Sequence, residues 1–332
     1  MPSGSSEKQE RDLRNCAKVL LTLVEVTYLM GAGASAEAIP VALNLKEAIN
    51  TFVDTLIGSD VPLRPAEYEE ISKTGEWLEY YGDVKWLMEN SKGKTIDEFA
   101  KDLYDRADDA ELNLVKSIVG AYFMITQSDN KLDRRYSHFL SVFADPERTA
   151  RRPRGNIKVV TWNYDSQFET GYALKYKSDL PTAITQLQAF PFVNGEGKIS
   201  EDEIDFKKFA VVRLNGIAGL QLTPQGKSRM ISFVTLPRPE AVKRAVHFHK
   251  LYKHGDGTQR PLMVYAWEQH VDIAEKSRQI SREILANTNV LVIVGYSFPP
   301  FNEDIDREIL RSIKNLHKVY VQDVAPDGIL EK

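Results

Sequence analysis

The sequence predicts an α/β protein with a doubly wound, mainly parallel sheet and an inserted helical segment. Three observations support this fold class. The β-prone run Val26–Met30 stops at a glycine-rich turn and is followed by a helical pattern, which opens a strand–turn–helix unit. The run from Asn289 to Val294 is apolar apart from its first residue, as in strands of a parallel sheet that are buried on both faces. Between residues 43 and 148 apolar residues recur at helical spacing, and no convincing strand is found.

The length of 332 residues corresponds to two domains, or to one large domain with an insertion. Residues 1–16 are largely polar and are predicted to form a flexible N-terminal arm. Residues 17–42 and 151–332 are predicted to form a Rossmann-like domain. Residues 43–150 are predicted to form the helical insertion, with helices near 65–90, 96–107, 110–127 and 132–144.

The second half of the chain returns to an alternation of strands and helices. Strands are predicted at Ile157–Thr161, at Phe209–Leu214 and at Lys318–Gln322, with further candidates at 230–235 and 262–265. A helix is predicted after Asp165, and an amphipathic helix over 268–286. Another helix is expected to start at a cap formed by Asn302 and to bury Ile305, Ile309 and Ile313 on one face.

Composition excludes several classes of function. The chain has 43 basic and 47 acidic residues, a net charge of −4, so it lacks the positive charge of a general nucleic-acid-binding protein. Its single cysteine, Cys16, excludes an internal disulfide and a zinc site built on several thiolates, and no metal site is predicted. Polar residues precede the apolar stretch 17–36, and Glu25 interrupts it, so we interpret it as neither a signal peptide nor a membrane span. The protein is expected to be cytoplasmic.

Four predicted strands end in polar or glycine-rich segments, namely Gly31–Ser35, Asn163–Asp165, Asn215–Gly219 and Gly295–Ser297. Ligands of a doubly wound sheet bind outside the carboxyl ends of its strands. The four segments therefore indicate one cleft.

The first of these segments has the form Gly31-x-Gly33-x-x-Ala36, which resembles a dinucleotide-binding turn. Glycine lets the backbone approach a diphosphate, and a helix N-terminus offers unpaired N–H groups. A tight turn packed against the sheet explains the same residues. No lysine follows as in a P-loop, which disfavours hydrolysis of a nucleoside triphosphate.

The second and fourth segments each allow two interpretations. Asn163 and Asp165 are placed to hold a ribose hydroxyl or an attacking water, or else to cap the next helix. Gly295-Tyr-Ser297 indicates a close approach of the backbone to a ligand, or a turn with a capping serine.

Together, the motifs Gly31-Ala-Gly-Ala-Ser35, Thr161-Trp-Asn-Tyr-Asp165 and Val294-Gly-Tyr-Ser297 resemble the sirtuin fold. They look most like the sirtuin-like NAD hydrolases of bacterial antiphage defence. The resemblance spans roughly residues 26–325, including the helical insertion.

The resemblance implies a role for each matching residue. Gly31, Ala32, Gly33 and Ser35 would surround the diphosphate and adjacent ribose of NAD. Asn163 matches the family's catalytic asparagine and would orient water or the nicotinamide ribose, with Asp165 beside it. Gly295 and Ser297 would hold the adenosine side, and Asp323 would reach the adenine ribose. The ligand is NAD as a substrate, without a metal.

Three departures from sirtuins qualify this assignment. A chain with one cysteine has no four-cysteine zinc ribbon, and Ile39-Pro-Val-Ala-Leu43 does not match the Asp-Phe-Arg run of deacylases; both disfavour a protein deacylase. The family's catalytic histidine stands before a glycine, where this chain reads Leu214-Asn215-Gly216. An asparagine amide does not take up a proton at neutral pH. His138, His247, His249, His254, His270 and His317 are each interpreted as surface or packing residues.

Two hypotheses follow. The first is an NAD hydrolase that uses Asn163, Asp165 and Asn215, releases nicotinamide and ADP-ribose, and depletes NAD in antiphage defence. The second is a non-catalytic subunit that binds NAD or ADP-ribose, or scaffolds a complex, after loss of the histidine. For either, the resemblance implies a homo-oligomer or a partner such as a helicase-like ATPase.

Overall fold

A six-stranded sheet in which every neighbouring pair is parallel forms the centre of the molecule. The computed structural model describes residues 24–57, 66–128, 131–144, 153–191, 204–222, 228–230, 235–254, 261–268 and 271–330. The strands are β1 Val26–Met30, β2 Ile157–Thr161, β3 Ala189–Phe190, β4 Ala210–Arg213, β5 Gly216–Leu222, β6 Ser228–Met230, β7 Pro261–Met263, β8 Val290–Val294 and β9 Lys318–Gln322. The sheet order is β3-β4-β2-β1-β8-β9, and β6-β5-β7 form a separate antiparallel sheet.

Helices cover the sheet and form a further layer beside it. They are α1 Ala42–Ile57, α2 Ala66–Ser72, α3 Gly75–Asn90, α4 Ile96–Asp105, α5 Asp109–Thr126, α6 Arg134–Val142, α7 Gln167–Tyr176, α8 Leu180–Leu187, α9 Arg238–His254, α10 Asp272–Ala286, α11 Glu303–Leu310 and α12 Asp327–Leu330. Short 3₁₀ turns lie at Ala32–Ser35 and Pro300–Asn302.

Apolar side chains alternate between the two faces of the sheet. Leu29 and Val160 belong to an apolar cluster on one face, together with residues of α10 and α11. Met30 and Val159 belong to a cluster on the other face, with residues of α6, α7 and α8. Both faces are therefore covered, as a doubly wound sheet requires. The predicted fold class, a Rossmann-like α/β sheet, is confirmed.

The strands end in register at one edge of the sheet. Met30 pairs with both Thr161 and Val294, Thr161 pairs with Arg213, and Val294 pairs with Gln322. Strand β1 lies between β2 and β8, so the chain order reverses direction at β1. This is the switch point at which doubly wound sheets bind ligands.

The helical layer has its own apolar core, built from α1 to α5. Val242 and Ala245 of α9, and Met263 and Tyr265 at the end of β7, belong to the same core. Helix α9 thus packs with the helices of segment 43–150, although it comes much later in the chain. The boundaries given for the arm, the Rossmann-like domain and the insertion stay a prediction.

Most elements agree with the sequence prediction, with the following differences. Helices α8, α9 and α12, strand β3 and the antiparallel sheet were not predicted. Helix α11 ends at Leu310, so Ile313, which was expected on its buried face, lies beyond it. The helix expected from residue 268 begins at Asp272. Asn302 stands at the start of α11, but its side chain makes no cap; it donates to the Tyr296 hydroxyl instead. Of the candidate strand at 230–235, Met230 is the last residue of β6, and residues 231–234 lie outside the described residues. Cys16 and the N-terminal arm also lie outside them.

A buried ion pair joins β4 to α7. The Arg213 Nη2 donates to Glu169 Oε2 at 2.6 Å, and both side chains are 1% exposed. Arg213 Nε also donates to the backbone carbonyl of Asp165 at 2.9 Å. Two charges removed from water in this way are tolerated because each is the other's partner, although Arg213 Nη1 has no hydrogen bond among the described residues.

We therefore expect Glu169→Leu to lower the free energy of unfolding by about 3–5 kcal/mol, because it leaves Arg213 charged and buried. The double variant Glu169→Leu/Arg213→Met removes both charges and should recover most of that loss. Urea denaturation of the three proteins measures both effects. A single variant as stable as the parent would contradict the expectation.

Candidate functional site

The glycine turn after β1 packs directly against the turn after β8. Gly31 N–H donates to the Val294 carbonyl at 3.0 Å, and Gly33 N–H donates to the Gly295 carbonyl at 2.9 Å. A Cβ at Gly31 would lie 2.6 Å from the Tyr296 ring, and one at Gly33 would lie 2.7 Å from Gly295 Cα. The close approach of the two turns therefore accounts for both glycines, as the tight-turn interpretation predicted.

Ser35 lies at the centre of a buried polar network at the end of β1. Its hydroxyl donates to Asp165 Oδ2 at 2.6 Å. Because a serine hydroxyl has one proton, Ser35 accepts from the other two neighbours, the Tyr136 hydroxyl at 2.7 Å and Asn163 Nδ2 at 3.2 Å. We call these four residues the Ser35 network. It joins the segments after β1 and β2 with helix α6.

Asp165 carries the charge of the Ser35 network. Its second oxygen, Oδ1, accepts the Gln167 N–H at 3.1 Å, so both carboxylate oxygens are occupied. Burial raises the pKa of Asp165, while the Ser35 hydroxyl and the nearby Arg213 charge oppose that rise. Asp165 thus binds the start of the next helix, as the capping interpretation predicted, and it also orients Ser35. Its role toward a ribose hydroxyl or a water stays a prediction.

Asn215 follows β4 and is 7% exposed. Its backbone carbonyl accepts the Val264 N–H at 2.9 Å, and its side chain hydrogen-bonds the Tyr164 hydroxyl. Its Oδ1 is buried and has no hydrogen-bond partner among the described residues. Gly216 follows with a φ of +79°, and a Cβ there would meet the Leu262 carbonyl at 1.9 Å. The chain therefore turns sharply at this point and fixes Asn215 at the edge of the sheet.

The remaining predicted binding residues lie along the same edge. Ala32 and Ser297 are exposed, and Gly295 adopts a φ of +56°. Asp323 follows β9, is half-buried, and accepts the Ala325 N–H at 2.9 Å. The structure brings Ser35, Asn163 and Asp165 into direct contact. It leaves Ala32, Ser297 and Asp323 outside the Ser35 network.

No histidine that the structure describes joins the Ser35 network. His249 is fully buried in the helical layer, where Nδ1 contacts Ser117 Oγ and Nε2 contacts Asp83 Oδ2, both at 2.8 Å. These three residues have the composition of a catalytic triad, yet Ser117 and His249 have no exposed surface. His247, on the exposed face of α9, pairs with a glutamate of α3, and His254, at the end of α9, pairs with another glutamate of α3. His138 and His317 are exposed, and His270 lies outside the described residues.

A second buried carboxyl lies beneath the glycine turn. Asp306 of α11 accepts the Tyr296 hydroxyl at 2.5 Å and Trp162 Nε1 at 3.2 Å. The Trp162 and Tyr296 rings stack at 5.9 Å, and Asn302 Nδ2 donates to the Tyr296 hydroxyl at 3.0 Å. Burial raises the pKa of Asp306 to about 7, while the hydrogen bonds from Tyr296 and Trp162 lower it. Asp306 and Asn302 thus hold Tyr296, the residue on which Gly31 packs.

Several residues around the site were not predicted from the sequence. The role of Arg213 was predictable, because a charge within the apolar run Phe209–Leu214 requires a buried partner. The roles of Tyr136 and Asp306 were not, since each occupies an ordinary position of an amphipathic helix. Their roles follow only from the packing of α6 and α11 against the sheet.

Comparison with known proteins gives solved structures only. No protein-family model and no curated protein matches the chain. A Sir2 homologue mutant in complex with ADP-ribose is 14% identical, covers 95% of this chain and 93% of its own, and has a TM-score of 0.40. A complex of Sir2 with a p53 peptide and NAD⁺ is 13% identical, covers 91% of each chain, and has a TM-score of 0.32. Both are Sir2 proteins.

Within the ranges that the structure describes, no helix is both long and apolar enough to cross a membrane. The same ranges contain no group of three or more His, Cys, Asp or Glu side chains placed to hold a metal ion.

The glycine turn yields a matched pair of substitutions. Gly33→Ala should lower the free energy of unfolding by about 1–3 kcal/mol, because the new Cβ meets backbone atoms that have no room to move. Gly82→Ala, within helix α3 and with nothing within 4 Å of the new Cβ, should raise it by about 0.5–1 kcal/mol. Urea denaturation distinguishes the two, and equal effects would contradict the close packing of the turns.

Asp306 predicts a specific pH dependence of stability. An Asp carboxyl with an ordinary pKa of 3.8 when unfolded and about 7 when folded stabilises the fold fully below pH 3.8, and this stabilisation is lost as pH rises through about 7. Asp306→Asn should remove that decline, which amounts to roughly 2–4 kcal/mol. Thermal unfolding of parent and variant from pH 4 to 8 tests this, and parallel curves would disprove it.

Proposed function

We propose that this chain is an NAD⁺ glycohydrolase, which cleaves the nicotinamide–ribose bond with water to give nicotinamide and ADP-ribose. The observation that carries the proposal is the hydrogen-bonded contact of Ser35, Asn163 and Asp165 in one buried network at the switch point of the sheet. Dinucleotides bind at this position in doubly wound sheets. Asn215, at the end of the neighbouring strand, adds a buried acceptor that has no partner among the described residues.

In this proposal Asn163 orients the attacking water or the nicotinamide ribose. Its amide nitrogen is held by Ser35 Oγ, so its carbonyl oxygen is the group left to accept from a water or a hydroxyl. Asp165 is a positioning residue, because both of its oxygens already hold protein donors. Positioning of this kind is a large part of catalysis when the reacting groups are otherwise free to move.

Asn215 is suited to bind a ribose hydroxyl. Its Oδ1, which has no partner among the described residues, is an acceptor, a ribose hydroxyl is a donor, and a buried polar atom is stabilised by such a partner. Its carboxamide takes up no proton, so Asn215 orients the ribose without acting as a base. The cationic, oxocarbenium-like transition state of this reaction is stabilised by fixed dipoles and charges.

The rest of NAD would follow the carboxyl edge of the sheet. The N–H groups of Gly31 and Gly33 are bound to protein carbonyls, so these two residues shape the turn while exposed Ala32 faces the diphosphate. Gly295, Ser297 and Asp323 would line the adenosine side, because they lie beyond β8 and β9 on that edge.

The biological role in this proposal rests on the sequence motifs. By their resemblance to sirtuin-like NAD hydrolases, the protein is a cytoplasmic effector that depletes NAD in antiphage defence. It would act as a homo-oligomer or with a partner such as a helicase-like ATPase.

One observation favours a second candidate function, a subunit that binds NAD or ADP-ribose without cleaving it. Asn215 stands where a base is expected, and no histidine in the described part of the chain joins the Ser35 network. Loss of a general base typically slows an enzyme by about 10²–10⁴-fold.

Incubation of the protein with about 1 mM NAD, with nicotinamide release measured by chromatography, distinguishes the two candidate functions. The parent should release nicotinamide and ADP-ribose in equal amounts. Asn163→Ala should abolish release, because the water or ribose loses its orienting group. Asn215→His should raise the rate by about 10²–10⁴-fold if the added imidazole acts as a base.

Asn90→Ala, at the exposed end of α3, is the matched control and should leave the rate unchanged. Thermal unfolding of each variant separates loss of activity from loss of fold. A folded parent that binds ADP-ribose but releases no nicotinamide, even as Asn215→His, would favour the binding subunit over the hydrolase.

A further inference from the structure

Helix α6 contributes one side chain to the Ser35 network. The Tyr136 hydroxyl of this helix donates to Ser35 Oγ at 2.7 Å. Tyr136 is 4% exposed, and its ring contacts Phe168 of α7 edge-on at 4.7 Å. The phenol is therefore held by packing, and it reaches the network from the helical segment that precedes β2 rather than from the sheet.

The start of α6 is bound to both segments that carry the network. Asp133, which caps α6 and is fully buried, accepts the Glu37 N–H at 3.1 Å just after the glycine turn. Its own N–H donates to Gln167 Oε1 at 2.7 Å, and the Gln167 N–H donates to Asp165 Oδ1 at 3.1 Å. These bonds run from the glycine turn through α6 and α7 back to the buried carboxylate. The position of α6 and of its phenol is thereby fixed relative to the network.

The Tyr136 hydroxyl limits how the Asn163 amide can bind Ser35. A serine oxygen has one proton, which Ser35 gives to Asp165, and two lone pairs. Tyr136 occupies one lone pair at 2.7 Å, and Asn163 Nδ2 occupies the other at a longer distance of 3.2 Å. Because the shorter bond takes one lone pair, the amide has a single position at which to donate. Without the phenol hydroxyl a second acceptor position is open, and the carbonyl oxygen of Asn163 is no longer held in one direction.

The same hydroxyl strengthens the bond from Ser35 to Asp165. Two O–H donors follow one another, from Tyr136 to Ser35 and from Ser35 to the Asp165 carboxylate. In such a chain each hydrogen bond polarises the next and strengthens it. Burial raises the pKa of Tyr136, so its hydroxyl keeps its proton and stays a donor. Tyr136 therefore acts on both of the side chains that Ser35 joins.

We propose that Tyr136 is a positioning residue of the hydrolysis, which acts through Ser35 to hold the Asn163 side chain in the orientation that binds the attacking water. This inference rests on the proposed NAD⁺ glycohydrolase function. Tyr136 has no part in bond making or in proton transfer, and its effect is on the geometry of the group that binds the water. The helical segment before β2 thus contributes to the site at the edge of the sheet.

The test is a double-mutant cycle of Tyr136→Phe and Ser35→Ala, with kcat and KM of nicotinamide release measured for the parent, both single variants and the double variant. Tyr136→Phe keeps the ring and its packing on Phe168 but removes the donor. It should lower kcat by about 3–10-fold, the effect of one hydrogen bond, with KM unchanged. In the Ser35→Ala background the phenol has no serine oxygen to act through, so the same change should leave kcat unaltered.

Tyr28→Phe is the matched control. Tyr28 of β1 packs against the same helix, with its ring edge-on to Phe139 at 4.9 Å, but it is not part of the Ser35 network, so its loss of a hydroxyl should leave kcat and KM unchanged. Thermal unfolding shows whether each variant is folded.

The outcomes separate this assignment from the proposed function. An active parent whose Tyr136→Phe variant has an equal kcat, loses only in KM, or loses kcat equally in both backgrounds would overturn the role of Tyr136 while the hydrolase stands. A folded parent that releases no nicotinamide would overturn the hydrolase and this assignment together.

Discussion

The buried carboxylate of Asp165 is the constraint on which the candidate site depends. A carboxylate removed from water must be matched by donors, and Asp165 obtains them from the Ser35 hydroxyl and the Gln167 N–H. The Arg213 guanidinium binds the backbone carbonyl of the same residue. The segments after β1 and β2 are thereby joined to the end of β4 at one point. Since Ser35 gives its proton to Asp165, it accepts from Asn163, and this fixes the Asn163 side chain.

The packing of the two turns at the switch point adds a second constraint. Gly31 and Gly33 lie so close to Gly295 and Tyr296 that neither tolerates a side chain, and Tyr296 is in turn held by Asp306. The glycines that resemble a phosphate-binding turn thus serve the contact between strands β1 and β8. Protein atoms fill the inner side of the turn, while Ala32 is exposed on its outer surface.

The sequence predicted what depends on local pattern. The apolar runs located the strands, helical spacing located α1 to α6, and the polar residues after each strand identified the edge that carries the site. It did not predict features that depend on distant parts of the chain. Helix α9 shares a core with segment 43–150, and Tyr136, Arg213 and Asp306 acquire roles only through folding. The roles of Asn163, Asn215 and Asp323 toward a ligand stay predictions, because a protein contact does not reveal what a free acceptor binds.

Two buried carboxyl groups serve the switch point, and they differ in what they hold. Burial raises the pKa of both, but Asp165 accepts a donor on each oxygen and lies near the Arg213 charge, while the donors to Asp306 are the neutral side chains of Tyr296 and Trp162. Asp165 orients Ser35 and, through Ser35, the Asn163 side chain. Asp306 instead holds the Tyr296 ring, on which Gly31 packs. The candidate site therefore depends on one carboxyl for the orientation of its polar side chains and on another for the shape of its glycine turn.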